Sequence, residues 1–390
     1  MTNDRAEALR AMSDEAFRAE LRGWLAATYP DAWRQDDLRP FRRLRGADWL
    51  AWVGMLNDAG WRCPAWPQAY GGLELTFRKQ VIYQEEMERA RTARLIDTGE
   101  VQLGPTLMIH GTEAQKAHYL PAIRRGEQVW CQGYSEPGAG SDLASLTTSA
   151  EQVGDVFRVR GQKIWTTHAD EATHIFALVR TSREPRKQAG ITFLLMEMST
   201  PGITVRPIRN LAGEAEFCEV FFDDVETPVA NALGPVGEGW TVAKALLGYE
   251  RVWIGSPALA RRALALSRQL LAARGGDAGL ADRYAELAAE LHDVGALYRQ
   301  TCDAVAAAGE PGPEVSILKI VASELLQRIT EFNVELAGEA AGLTGESRIG
   351  QVRTDIAWQY YMARPTTIFA GSNEVQKNIL ARAMLGLPTG

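Results

Sequence analysis

One stretch of this chain gathers residues that chemistry could use: Gln132-Gly133-Tyr134-Ser135-Glu136-Pro137-Gly138-Ala139-Gly140-Ser141-Asp142. Small residues, hydroxyls and free backbone N–H groups suit a loop lying close to a polar, partly anionic cofactor. A Gly-x-Gly of this kind on its own reads as an ordinary turn. A second segment is Gly161-Gln162-Lys163-Ile164-Trp165-Thr166-Thr167. Trp165 could stack on an aromatic ring system, and a threonine hydroxyl beside it, Thr166 or Thr167, could donate a hydrogen bond. The plainer alternative is a core tryptophan at the end of a strand. The third segment, Ile368-Phe369-Ala370-Gly371-Ser372-Asn373-Glu374-Val375-Gln376, is a turn opening a helix. Helix N-termini favour anions and carbonyl oxygens.

Other chemistries find little footing. No G-x-G-x-x-G follows a predicted strand, and neither a P-loop nor a G-x-S-x-G elbow is present. The histidines (His110, His118, His168, His174, His292) lack close metal-ligand spacing, so no metal site is expected. Cys63, Cys131, Cys218 and Cys302 lie far apart, as incidental thiols in a reducing compartment would. The formal charge of -7 argues against a nucleic-acid binder and leaves room for a local basic pocket. No stretch approaches the ~20 apolar residues of a membrane span. The N-terminal residues mix acids with arginine and have no apolar core of a signal peptide, so the expected location is cytoplasmic.

The elements that must position these segments change character along the chain. Acids after Ser13 suit a helix start, and Phe17, Leu21, Trp24, Leu25 and Tyr29 recur at helical spacing. Residues 80–91 and 113–125 also read as helices. From Trp130 the pattern shifts to short apolar runs between Gly, Pro, Ser and Thr clusters: 156–160 after a turn at Gly154-Asp155, then 174–179, 191–198, 203–208 and 219–222. These predict a small antiparallel β domain. Residues 240–272, 279–308 and 314–337 are rich in Ala, Leu and Glu and predict long helices, broken at Gly275-Gly276 and at residues 309–313. A last helix starts at Ser372-Asn373. The predicted class is α+β: helices over 1–128, strands over 129–239, helices over 240–390.

In this order the three segments resemble motifs of the acyl-CoA dehydrogenase family. The first is similar to Y-x-x-S/T-E-P-x-A-G-S-D, the second to G-x-K-x-W-I/T-T/S, the third to G-T/S-x-E-x-Q. His110-Gly111-Thr112-Glu113-Ala114-Gln115-Lys116 matches a further family pattern. The resemblance covers nearly the whole chain. It implies an N-terminal helical domain, a middle β-barrel and a C-terminal helical bundle, with FAD between the barrel and the bundle. It also implies that Gln132, Tyr134 and Ser135 line the flavin edge, Trp165 covers one face, and Thr167 lies near N5 with Thr166 beside it. Ser141 would contact the CoA arm or a pyrophosphate, and Ser372 and Glu374 would reach the FAD. The implied reaction is dehydrogenation of an acyl-CoA to its 2,3-enoyl form, with electrons passed to an electron-transfer flavoprotein. A carboxylate takes the α-proton, its pKa raised by desolvation, while fixed donors stabilise the carbonyl oxygen.

The sequence departs from the family pattern in two places. Many members carry the catalytic Glu just before the glycine of the third motif, where this chain has Ala370 before Gly371. A minority carry it on the first long C-terminal helix in an x-E-R setting. Tyr249-Glu250-Arg251 fits that setting, making Glu250 the expected base and Arg251 its brace. The alternative is a surface acid paired with an arginine. Second, the family's R-x-x-F-G and Q-x-x-G-G-x-G are replaced by Leu271-Ala272-Ala273-Arg274-Gly275-Gly276 and Glu335-Leu336-Ala337-Gly338-Glu339-Ala340-Ala341. Glu335 would repel a phosphate. The resemblance then points to large subunits of heteromeric dehydrogenases for dicarboxylic or steroid side-chain thioesters. The expected assembly is a homo- or hetero-oligomer, a dimer of dimers with a sister subunit. A non-catalytic half-site subunit, or another flavin reaction on the same fold, remains the alternative.

Overall fold

Ser13 accepts a hydrogen bond from Ala16 N and starts α2 (Asp14–Thr28), whose Phe17, Leu21 and Leu25 are all buried, as the helical spacing requires. In this computed structural model, described over residues 3–388, residues 35–37, 41, 42, 94, 96, 276 and 310 and the side chains of 3, 245–251 and 253 are left out. The helices before the sheet are α1 (Asn3–Ala11), α2, α3 (Gly46–Asp58), α4 (Phe77–Arg89), α5 (Gly104–His110) and α6 (Glu113–Arg125). The start of α6 is fixed by a capping box in which Thr112 and Gln115 each satisfy the other's backbone N–H. A π-helical turn, Gly99–Leu103, leads into α5.

The sheet comprises β1 (Trp130–Gly133), β2 (Ser149–Val153), β3 (Val156–Thr167), β4 (His174–Arg180), β5 (Ile191–Glu197), β6 (Ile203–Ile208) and β7 (Phe217–Pro228). Gly154, at φ +65°, makes the tight β2–β3 turn. The strands run β1-β4-β2-β3-β7-β6, with β5 on the far side of β4. The expected barrel is thus a curled sheet with open edges. It is not wholly antiparallel either: β1 pairs parallel with β4, because the β2–β3 hairpin intervenes between them in the chain. β4 and β5 are buried on both faces. Phe176, Leu178, Phe193 and Leu195 pack with Trp66, Leu107, Tyr119 and Ile123 on one side. Ile175, Val179, Leu194 and Met196 pack with Phe157, Val159, Val220 and Phe222 on the other.

After the sheet come α7 (Gly239–Ile254), α8 (Ala258–Ala273), α9 (Ala278–Ala308), α10 (Val315–Ala337), a hairpin of β8 (Ser347–Ile349) and β9 (Val352–Thr354), α11 (Ile356–Ala363) and α12 (Asn373–Ala383). The single helix expected over 240–272 is two, because Pro257 cannot continue the first and sits at the cap of the second. α10 is the buried centre of its unit, with Leu318, Leu325, Ile329, Phe332 and Leu336 in the core.

The chain divides into two compact units. One contains residues 1–10, 45–74 and 95–247, and the other residues 11–44, 75–94 and 248–390. The first holds the sheet and the second holds α8 to α12. Among the described residues no helix is long and apolar enough to cross a membrane.

Candidate active site

In the first unit the two loop segments meet on one carboxylate. Glu136 accepts from Thr147 N (2.6 Å), Thr147 Oγ1 (2.8 Å), Thr148 N (2.9 Å) and Lys163 Nζ (2.8 Å). Lys163 also donates to Tyr134 O (3.1 Å), and Ile164 N donates to Ser135 O (2.9 Å). Burial opposes ionisation of Glu136, but the Lys163 ammonium and these donors outweigh it and hold the carboxyl at about 2. Both residues lie within the motifs, and sequence reasoning assigns neither a role. The signal was there: a buried Lys demands an acid, and the neighbouring motif contains one.

This clamp sets the surrounding side chains. Tyr134 is buried, with its ring edge-on to Phe176 and Phe193. Gln132 and Ser135 are half-buried, and Ser141 is exposed. β3 is irregular between Lys163 and Thr166, and Trp165 takes φ +61° there. Such a bulge re-aims a side chain. Trp165 stands 56% exposed, edge-on to Phe217 at 6.0 Å. Thr167 is half-buried, whereas Thr166 is fully buried and its hydroxyl has no hydrogen-bond partner among the described residues. An exposed indole face with a hydroxyl two residues on fits a planar ring with a polar edge. These residues therefore fit a flavin.

The second unit holds the C-terminal turn. Ala370 (φ +53°) and Gly371 (φ +83°) are both left-handed, and a Cβ on Gly371 would lie 2.6 Å from Gln376 Nε2. Gln376 donates to Ala370 O (2.9 Å) and accepts from Ser316 Oγ on α10 (2.7 Å). Ser372 caps α12 by accepting from Val375 N. Glu374 is exposed in the first turn, and its carboxyl is lowered by the helix-end N–H and by Ser372. Asn373 accepts from the fully buried Lys319 of α10 (2.7 Å) and donates to Glu324 (3.1 Å). The turn is thus held from behind by one polar stripe of α10, a segment whose sequence reads only as a helix. Glu250 and Arg251 lie on α7, and their side chains fall outside the described residues. Glu335 pairs with Arg283 on the surface.

The acyl-CoA dehydrogenase family models match the chain in three consecutive parts: the N-terminal domain over residues 11–127, the middle domain over 131–225 and the C-terminal domain over 237–385. This chain belongs to the acyl-CoA dehydrogenase family. Its fold is that family's, helical, then a curled sheet, then helical, and it is an oxidoreductase acting on acyl-CoA. The family is generally FAD-dependent. Acyl-CoA dehydrogenase IpdE1 of Mycobacterium tuberculosis is 35% identical, over 96% of this chain and 98% of that one. The solved "Tcur3481-Tcur3483 steroid ACAD" has a TM-score of 0.84 at 30% identity, covering 98% of this chain and all (100%) of that one. The ChsE4-ChsE5 complex from Mycobacterium tuberculosis has a TM-score of 0.81 at 30% identity, covering 97% and 98%.

Proposed function

We propose that this dehydrogenase uses FAD and the Glu250 carboxylate to convert an acyl-CoA, with a branched, long or polycyclic acyl group, to its trans-2-enoyl-CoA. The observation that carries this reading is Ala370 itself: the C-terminal turn is built and braced, yet its side chain cannot take a proton. Glu250 is the acid that the sequence offers in its place. The similarity to the solved steroid dehydrogenase supports the choice of a bulky acyl group.

In this reading Trp165, Thr167, Gln132, Tyr134 and Ser135 hold the flavin in the first unit, and the family pattern assigns Ser372 and Glu374 to FAD as well. FAD, when bound, supplies the hydride acceptor for the β-carbon. The protein's own task is the α-proton. That proton is a weak acid, so its removal by Glu250 needs the thioester oxygen to be stabilised at the same time. The backbone N–H of Ala370 is the donor, on a residue whose own carbonyl is fixed by Gln376. Arg251 is assigned to bracing the site and not to reacting. Electrons leave to an electron-transfer flavoprotein.

A second reading, favoured by Ala370 and by the acid Glu335 where the family has Gln, is a chain that completes only half of an FAD site and needs a sister subunit for the rest. One measurement separates the two. The chain is purified alone and its visible spectrum is taken before and after anaerobic addition of a panel of acyl-CoAs. A flavin band bleached by one thioester establishes a self-sufficient dehydrogenase. A colourless protein that gains flavin only on co-expression with a sister chain establishes the half-site. In flavin-loaded protein, Glu250→Gln must keep the flavin and lower the reduction rate at least about 100-fold, the low end of a general base's contribution. A variant that reduces at the wild-type rate removes Glu250 from the role.

A further inference from the structure

Trp165 sits where neither its backbone nor its side chain is at rest. Its backbone is left-handed, at φ +61°, a conformation that bulky residues rarely adopt and that stores strain. Its indole is 56% exposed, so more than half of what burial could contribute is forgone. A residue in this position persists only where its surroundings over-determine it. The backbone on both sides meets that condition. Ile164 N donates to Ser135 O (2.9 Å), while Thr166 and Thr167 pair with Cys218 and Phe217 of β7. Thr166 is fully buried, and His168, left-handed at φ +53°, donates its N–H to Glu216 O (2.9 Å). The strand is pinned before and after Trp165, and the bulge between the pins leaves the indole at the surface.

The side chain is held by less. Among the described residues the indole N–H has no hydrogen-bond partner, and one ring meets it: Phe217, edge-on at 6.0 Å with 87° between the planes. Phe217 is half-buried on β7, in register with Thr167 of β3 on one side and Ile208 of β6 on the other. It is fixed by two ladders, while more than half of the indole stays open. A strained backbone beneath an exposed ring braced on one side makes a preformed platform. Its shape is set before any ligand arrives, which spares the ordering cost of binding. The strain then belongs to the unliganded fold, as it does at ligand clamps whose residues occupy sparsely populated conformations.

We propose that Phe217 is a positioning residue: its ring holds the Trp165 indole in the posture that receives the isoalloxazine, and the left-handed strain at Trp165 is maintained by the empty protein and offset when that planar ring covers the indole. The inference rests on the flavin reading above. Phe217 acts through Trp165 and needs no contact with the cofactor itself.

The test uses the full chain, with its sister chain if one co-purifies, stripped of flavin and then titrated with FAD. In the flavin-free protein, Trp165→Gly should exceed Trp165→Ala in its folded-to-unfolded ratio by about fivefold, because glycine takes a left-handed backbone without strain. The usual order inside a strand, alanine above glycine, would overturn the strain. The indole resonance of Trp165, assigned by its loss in Trp165→Phe, should move in Phe217→Leu and return in Phe217→Tyr. A resonance that stays put in Phe217→Leu would overturn the contact. On titration, Phe217→Leu should weaken FAD binding about 2- to 10-fold, the scale of one edge-on aromatic pair. Its bound flavin should also fluoresce more brightly, since a displaced indole quenches less, and Phe217→Tyr should recover both properties. Weaker binding at unchanged brightness per bound flavin would mean that Phe217 only stabilises the sheet, and would overturn its positioning role. If wild type takes up no FAD, the flavin reading fails, and the stability order and the resonance still decide the strain and the contact.

Discussion

Lys163 Nζ lies 2.8 Å from Glu136 Oε1, with both side chains buried, and this contact joins the two segments that resemble the family's flavin motifs. Removing one partner of a buried pair leaves the other charge uncompensated, which typically costs about 3–5 kcal/mol. Lys163→Met should therefore lower urea stability by that order and release flavin. Adding Glu136→Gln removes the stranded charge and leaves one amide oxygen, which can accept from Thr147 N or from Thr148 N, the two now bonded to different carboxylate oxygens. The double variant should recover at least about 1 kcal/mol of the loss. Additive losses would show that the pair does not act as a unit.

The same contact fixes an acid limb. The Glu136 carboxyl is held at about 2, below the ordinary value of about 4.3 that it regains on unfolding. A carboxyl depressed in the folded state contributes stability above its unfolded pKa and loses it as pH falls towards the folded value. Chemical denaturation from pH 6 down to about 2.5 should show wild type losing stability below about pH 4.3 more steeply than Glu136→Gln. Parallel curves would remove Glu136 as a source of acid sensitivity.

The parts of the fold that were legible in the sequence were those with their own local signal. Ser13, Phe17, Leu21 and Leu25 announce α2 by cap and spacing, and the runs at 174–179, 191–198 and 203–208 announce β4 to β6. β1 and β2 carry no such signal. β1 is four residues long, and β2 (SAEQV) buries only Ala150, because its other face is open. Pairing with β4 and β3 makes them strands, and pairing is a tertiary fact. The site divides the same way. The residue types at Trp165, Ser372 and Gly371 were readable, but the buried lysines beneath them were not. An amphipathic pattern treats a lysine as surface, and only the acceptor placed opposite makes its burial tolerable.

A tight packing contact offers a direct test of the helical side of the first unit. Gly104 opens α5 against Trp66, and a Cβ there would lie 2.1 Å from Trp66 Cζ2. The indole is pinned, since its N–H donates to Glu100 O at 2.8 Å. It cannot swing aside without leaving that carbonyl. Gly104→Ala should destabilise by about 1–3 kcal/mol, the usual cost of overpacking, despite alanine's better helix propensity. A thermal melt equal to or above wild type would show that Trp66 can yield.

Lys319 is the counterpart of Lys163 in the second unit, but its partner at 2.7 Å is the neutral Asn373 Oδ1. Burial lowers its ammonium to about 8, against the pull of Glu374 and Glu324. Unfolded, the same group titrates near about 10.4. Between those values the unfolded chain binds more protons than the folded one, so stability rises with pH across that window. The neutral amine remains a donor, and the Asn373 contact survives the loss of charge. Wild-type stability measured against Lys319→Met should therefore show a constant difference below about pH 7.5 and a difference increasingly in favour of wild type from about pH 8 to 10. A difference that stays flat to pH 10 would mean that the ammonium is not strained by its burial.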